Sequence, residues 1–141
     1  MKVTSYAVAR PAFYDRNATS TLQNFGTQVA PHSDTTRWTT TVAAGKKLAV
    51  ELIHIYQERI TLATVVRQSN MQLIISNGVT NALTMYNNDL GTNTVGLRDY
   101  RLMTNVATIY AGESIYAVTS DASTGGLCLF VAVMKGTTYD A

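Results

Sequence analysis

Two histidines, nine carboxylates and one cysteine are all this chain offers for binding a metal or moving a proton. His32 and Asp34 have the His-x-Asp spacing of a metal or catalytic pair, but such chemistry needs a third partner and none is evident. They read as a polar pair in a loop. His54 lies in a strand-like stretch on the face shared with Val50, Leu52 and Tyr56, where a structural role fits. Glu51, Glu58, Asp89, Asp99, Glu113 and Asp121 are scattered, and their spacing selects no acid–base pair. Asn87-Asn-Asp-Leu-Gly-Thr-Asn93 is rich in side-chain oxygens but lacks the helix-flanked calcium loop, so it reads as a turn-forming loop. No glycine-rich phosphate loop is present, and Ser123-Thr-Gly-Gly126 reads as a hairpin turn. Asn17-Ala-Thr19 is a glycosylation sequon without an apolar leader before it. Cys128 sits in an apolar run and reads as a buried, inert thiol. No catalytic, cofactor-binding or metal-ligating set is assigned, and the chain is not expected to be an enzyme.

The elements that would position these groups are strands. No stretch of eleven residues holds a helical apolar period. From Arg37 onward, strand-like segments alternate with turn signals about every eight to twelve residues, the rhythm of an all-β sandwich. The segments are 37–43, 48–60, 65–76, 80–86, 95–103, 108–110, 113–119 and 127–137. Trp38, Thr40 and Val42 share one side of the first. In the second, Leu48, Val50, Leu52, His54 and Tyr56 alternate, yet Ile53 and Ile55 point the other way. Either a bulge shifts the register or both faces are covered. Met71, Leu73 and Ile75 align in the third, and Leu83 and Met85 point inward in the fourth. Asn77-Gly78 predicts a type I′ hairpin turn between them. Thr41-Val-Ala-Ala-Gly-Lys-Lys-Leu-Ala-Val50 and Thr108-Ile-Tyr-Ala-Gly-Glu-Ser-Ile-Tyr-Ala117 echo each other, as two corners of a Greek-key sandwich would.

The first 36 residues differ in texture. Val3–Ala9 could pair at an edge, and Arg10–Thr36 holds both prolines with few alternating apolar residues. The expected organisation is an N-terminal strand and extended arm over 1–36 and a β-sandwich over 37–141. The length of 141 residues suits one domain with a core of its own. Charged residues make up only 14%, which suits a β-rich surface and equally an interface, since interfaces are depleted in charge. The net charge of +2 is scattered, with no basic stripe for nucleic acid. The apolar run Leu127–Met134 is too short to span a membrane.

This pattern of about eight strands after an irregular N-terminal segment resembles the small jelly-roll decoration or cement proteins of tailed bacteriophage capsids. The phrases Trp38-Thr-Thr-Thr-Val-Ala-Ala-Gly-Lys46 and Ile109-Tyr-Ala-Gly-Glu-Ser-Ile-Tyr-Ala-Val118 carry the resemblance, as does an apolar strand ending in Thr137-Thr-Tyr-Asp-Ala141. It implies a structural protein made in the host cytoplasm, placed on the capsid exterior and bound to the major capsid protein. It transfers no individual site residue.

The residues themselves point to assembly. Leu127-Cys-Leu-Phe-Val-Ala-Val-Met134 is apolar on both faces, and a sandwich strand normally shows one face to water. A homo-oligomer is therefore expected, a trimer ahead of a dimer. The arm should act as a strap outside its own sandwich. The candidate interface comprises Phe13, Tyr14, Leu22, Phe25 and Val29 in the arm, with Phe130 and Met134 in the last strand. A second reading takes Trp38, Tyr56, Tyr86, Tyr100, Tyr110 and Tyr116 as a sugar-stacking platform, making the chain a carbohydrate-binding or host-adhesion module.

Overall fold

The computed structural model describes residues 18–65, 67–79, 82–90 and 94–141, which form an all-β sandwich. Its strands are β1 (Thr19–Val29), β2 (His32–Thr41), β3 (Lys46–Thr61), β4 (Ser69–Ser76), β5 (Ala82–Asp89), β6 (Arg98–Tyr110), β7 (Ser114–Asp121) and β8 (Leu127–Asp140). They make two antiparallel sheets ordered β1-β8-β3-β6 and β2-β7-β4-β5. The pairs β1–β8, β2–β7, β3–β6 and β4–β5 are those of one long hairpin. Rolling that hairpin on itself adds the pairs β3–β8 and β4–β7 and separates the two sheets. This is the jelly-roll connectivity.

The topology explains the echoed corners. β2 and β7 pair in one sheet while β3 and β6 pair in the other, so the chain must change sheets between β2 and β3 and between β6 and β7. The two crossings lie side by side. The Val42 amide donates to the Glu113 carbonyl at 2.9 Å, and the Gly112 amide donates to the Val42 carbonyl at 3.0 Å.

Alternation sets the core. Cys128, Phe130, Ala132 and Met134 of β8 face Ile115 and Ala117 of β7 and Met71 and Leu73 of β4, all buried. The Trp38 indole N–H donates across the sandwich to the Ala132 carbonyl at 2.9 Å, so the largest core ring buries no unpaired donor. In β3 a bulge at Glu51 lies between Val50 and Leu52 in both pairings. Leu48 and Val50 point inward before it; Ile53, Ile55, Gln57 and Arg59 point inward after it. The extra residue reverses the faces, and His54 and Tyr56 turn outward. On the facing strand, Asn105 absorbs the distortion with φ of 50°, a conformation that asparagine tolerates.

Three expectations change. The segment 10–36 is not an irregular arm throughout. From Thr19 it is strand, and the boundary at 36/37 falls inside β2. β1 pairs with β8 in unbroken register from Thr19↔Thr138 to Val29↔Cys128. Phe25 and Val29 pack on the core, and the Arg37 guanidinium lies 4.6 Å over the Phe25 ring. The expected strand at Val3–Ala9 lies outside the described residues. Ser123–Gly126 is not a hairpin turn, because it carries the chain from β7 in one sheet to β8 in the other. Leu83 pairs opposite Ile75 but remains 64% exposed at an open corner, whereas Met85 packs on the core.

The β4–β5 connection sits where Asn77-Gly78 placed it, but it is longer than a two-residue turn, since β5 begins at Ala82. The Asn77 side-chain oxygen accepts from the Val79 amide at 3.0 Å and the Ser76 hydroxyl accepts from the Gly78 amide at 3.0 Å. Gly78 has φ of 78°, and a Cβ there would meet no other atom within 4 Å. The cost of Gly78→Val is therefore backbone strain alone, about 1 kcal/mol or more. A melting curve superimposable on the parent's would contradict it.

Candidate interaction surface

The outer face of the β1-β8-β3-β6 sheet is built by the alternate residues of β8. While Cys128, Phe130, Ala132 and Met134 are buried, Leu129, Val131, Val133 and Lys135 point outward. The register extends each into a row across the sheet. Val133 lies between Asn24 and His54, with Leu102 beyond. Val131 lies between Gly26 and Tyr56, with Tyr100 beyond. Lys135 lies between Leu22 and Leu52. Gly26 presents no side chain beside Val131, so the face is open at its β1 edge there. The result is an aliphatic and aromatic surface where water should be. Leu22, Tyr100 and Leu102 are 67%, 56% and 53% exposed.

Polar groups frame this face. The His54 and Tyr100 rings stack at a tilt, 5.2 Å between centroids. Tyr56 donates to the Glu58 carboxylate. That bond, with some burial and the adjacent negative charge, holds the phenol above its ordinary pKa. Lys46 and Asp140 form an ion pair at one end of the sheet. The Lys47 ammonium lies 4.8 Å over the Tyr139 ring. Lys46, Lys47 and Asp140 put charge at that end of the sheet, and Lys135 adds a further cation between Leu22 and Leu52.

The residues proposed from the sequence divide sharply. Leu22 is on this face and exposed. Phe25 and Val29 belong to the chain's own core margin. Phe130 and Met134 are fully buried between the two sheets and face no partner, which corrects their assignment as interface anchors. β8 is apolar on both sides, and its outer side carries Leu129, Val131 and Val133. Phe13 and Tyr14 lie outside the described residues. The aromatic set is not one platform. Trp38 and Tyr86 are buried, Tyr56 and Tyr100 lie on this face, and Tyr116 lies on the opposite sheet. Burial, and the Asp99 carboxylate that accepts the Tyr86 hydroxyl, push that phenol far above its ordinary pKa.

His32 does not engage Asp34. Its Nδ1 meets the Ser33 carbonyl at 2.7 Å, and Arg37 reaches Nε2 at 3.2 Å. Asp89 ends β5 and accepts the Ser69 amide at 2.9 Å, so Asn87, Asn88 and Asp89 belong to a strand. Between the sheets lies a polar cluster that sequence reading missed. Arg59 and Ser69 are wholly buried and Asp121 nearly so. Arg59 donates to the Ser69 hydroxyl at 2.6 Å, and that hydroxyl donates to Asp121 at 2.8 Å. Burial pushes the neighbouring Cys128 thiol above its ordinary pKa, against the pull of the Arg59 charge.

No protein-family model matches the chain, and no curated protein matches it by sequence. Solved structures share its fold at a distance. Dimeric latent PorU from Porphyromonas gingivalis matches 89% of this chain at 10% identity with a TM-score of 0.53, and the match spans 13% of the PorU chain. A chain of the infectious bursal disease virus Gx strain matches 90% at 11% identity, with a TM-score of 0.44 and 34% of that chain covered. A CBM4 structure matches 89% at 8% identity, with a TM-score of 0.32 and 95% of that chain covered. This chain therefore spans much less than two thirds of the first two chains, and its likeness to PorU, at 10% identity, is one of fold alone.

Proposed function

We propose that this chain is a structural virion protein without enzymatic activity, a decoration protein that seats on the major capsid protein lattice and on its own copies. The observation that carries the reading is the apolar outer face of the β1-β8-β3-β6 sheet. Four strands spaced ~4.8 Å apart and the seven residues 129–135 at ~3.3 Å each make a face of roughly 440 Å2. A standard interface buries about 800 Å2 on each partner. Covering a large aliphatic or aromatic side chain contributes about 1.5–3 kcal/mol, so several together support a stable association. The mixture of leucines and valines around Tyr56 and Tyr100 favours a protein partner over a sugar, which would need flat rings lined by hydrogen-bonding groups. The jelly-roll connectivity agrees with the sequence resemblance to capsid decoration proteins.

Sedimentation velocity at micromolar concentration, with binding to the undecorated particle, tests this. The parent should sediment as an oligomer and co-pellet with the particle. The double variant Leu102→Glu/Val131→Glu should remain folded, because both side chains point out of the core, yet run as a 15.3 kDa monomer and stay in the supernatant. A monomeric parent, or a variant that decorates the particle as the parent does, would overturn the reading.

A further inference from the structure

The opposite sheet has an outer face of different chemistry. Along β7 the outward residues are Ser114, Tyr116, Val118 and Ser120. Tyr116 lies between Thr39 of β2 and Ile74 of β4, and Val118 lies between Thr36 and Gln72. Two hollows adjoin along this line. The first, of about 380 Å3, is lined by hydroxyls of Thr36, Thr39 and Ser114 around the Tyr116 ring. The second, of about 100 Å3, is lined by Asp34, Asn70, Gln72 and Ser120 beside Val118. Neither is lined by lysine or arginine, and Asp34 is the single carboxylate. Asn70 is only 4% exposed and its side-chain oxygen is closed off from the hollow, so Asp34, Gln72 and Ser120 supply the accessible polar groups there.

We propose that the outer face of the β2-β7-β4-β5 sheet binds a neutral oligosaccharide along β7. Hydroxyl and amide side chains both donate and accept, as sugar hydroxyls do. Asp34 takes donors, and the Tyr116 ring offers a flat apolar surface to the C–H face of a pyranose. A phosphorylated or sulfated ligand would find no cation here. From Ser114 to Ser120 the line extends about 20 Å, so the ligand is a chain of several sugars. This site is separate from the apolar face and stands independently of the assembly role.

Amide-resolved NMR titration of the whole protein with neutral hexasaccharides of glucose, mannose, galactose and N-acetylglucosamine tests the site. At least one should shift the Gln72, Tyr116, Val118 and Ser120 amides to saturation. Tyr116→Ala and, separately, Gln72→Ala should weaken that binding by about tenfold, equivalent to about 1.4 kcal/mol. Leu102→Glu, on the other sheet, should leave it unchanged. The proposal is overturned if none of the four shifts these amides at about 10 mM, a ceiling well above useful affinity. It is also overturned if shifts appear elsewhere, or if both groove variants bind as the parent does.

Discussion

Phe130→Ala lowers the unfolding free energy by about 3–5 kcal/mol and leaves the proposed assembly surface intact. Phe130 is fully buried in the central part of β8, paired with Thr27 of β1 and Gln57 of β3. The His32 ring meets it edge-on, 6.1 Å between centroids. Its removal opens a cavity between the sheets beside β8, a strand fixed by ladders to β1 and β3 on its two sides, so the walls cannot readily collapse into it. A domain of this size is stable by about 5–15 kcal/mol, and the variant loses a large part of that. Chemical denaturation at equilibrium measures the loss. Without denaturant, where both proteins are folded, sedimentation should give variant and parent the same state of assembly. The contrast with Val131→Glu, one position away on the same strand, is the informative one. That variant should keep most of its stability and lose the proposed oligomer. If Phe130→Ala instead disperses the oligomer without loss of stability, the ring faces a partner and the register of β8 is wrong.

The register was legible in the sequence wherever apolar residues alternate against polar ones. Trp38 and Val42, Met71 and Leu73, and the paired Ala-Gly corners all sit where their pattern placed them. β1 was not legible, for a physical reason. It is an edge strand of its sheet, and its sequence Thr-Ser-Thr-Leu-Gln-Asn-Phe-Gly-Thr-Gln-Val has only Phe25 and Val29 as large apolar residues on the inner side and Leu22 on the outer. An edge strand covers the core margin only partly, so Thr21 and Gln23 can occupy inward positions without a full desolvation cost. The Gln23 amide settles that cost by donating to the Thr40 hydroxyl at 2.8 Å. A polar strand of this kind has the composition of a loop, and only the ladder to β8 makes it a strand.

The interaction surface was half legible. That β8 is apolar on both sides can be read from Leu127–Met134, but which side is the core depends on register, and a one-residue shift exchanges Phe130 for Val131. The larger ring drew the assignment to the wrong side. The partners of Val131 and Val133 on the face, Tyr100 and Leu102, come from β6 and are joined to β8 only through β3. No local pattern links residues so far apart in the chain. The hollows on the other sheet are likewise products of three strands, β2, β7 and β4, and their hydroxyl-rich residues look like ordinary surface in the sequence.

Asp121→Ala costs about 3–5 kcal/mol, the other large effect expected of this chain, and the cause is electrostatic. Asp121 is 1% exposed and accepts from the Ser69 hydroxyl at 2.8 Å and the Ser123 amide at 3.0 Å. Arg59 is wholly buried and reaches the same Ser69 hydroxyl at 2.6 Å. The two charges come from different sheets, β3 and β7, and Ser69 of β4 joins them. Removing the carboxylate strips the acceptor from two donors and leaves the guanidinium buried without its counter-charge, which is more costly than losing the pair. Removing both charges should be milder. Arg59→Met fills much of the same volume with an apolar chain, and Asp121→Asn keeps an oxygen for Ser69 and Ser123. The double variant Arg59→Met/Asp121→Asn should therefore be more stable than the two single losses predict, by about 1–3 kcal/mol, within the range for residues of one hydrogen-bond network. Denaturant unfolding of the parent, both single variants and the double variant closes this cycle. Losses that add to within about 0.5 kcal/mol would mean that Arg59 and Asp121 stabilise the sandwich independently, each through its own hydrogen bonds.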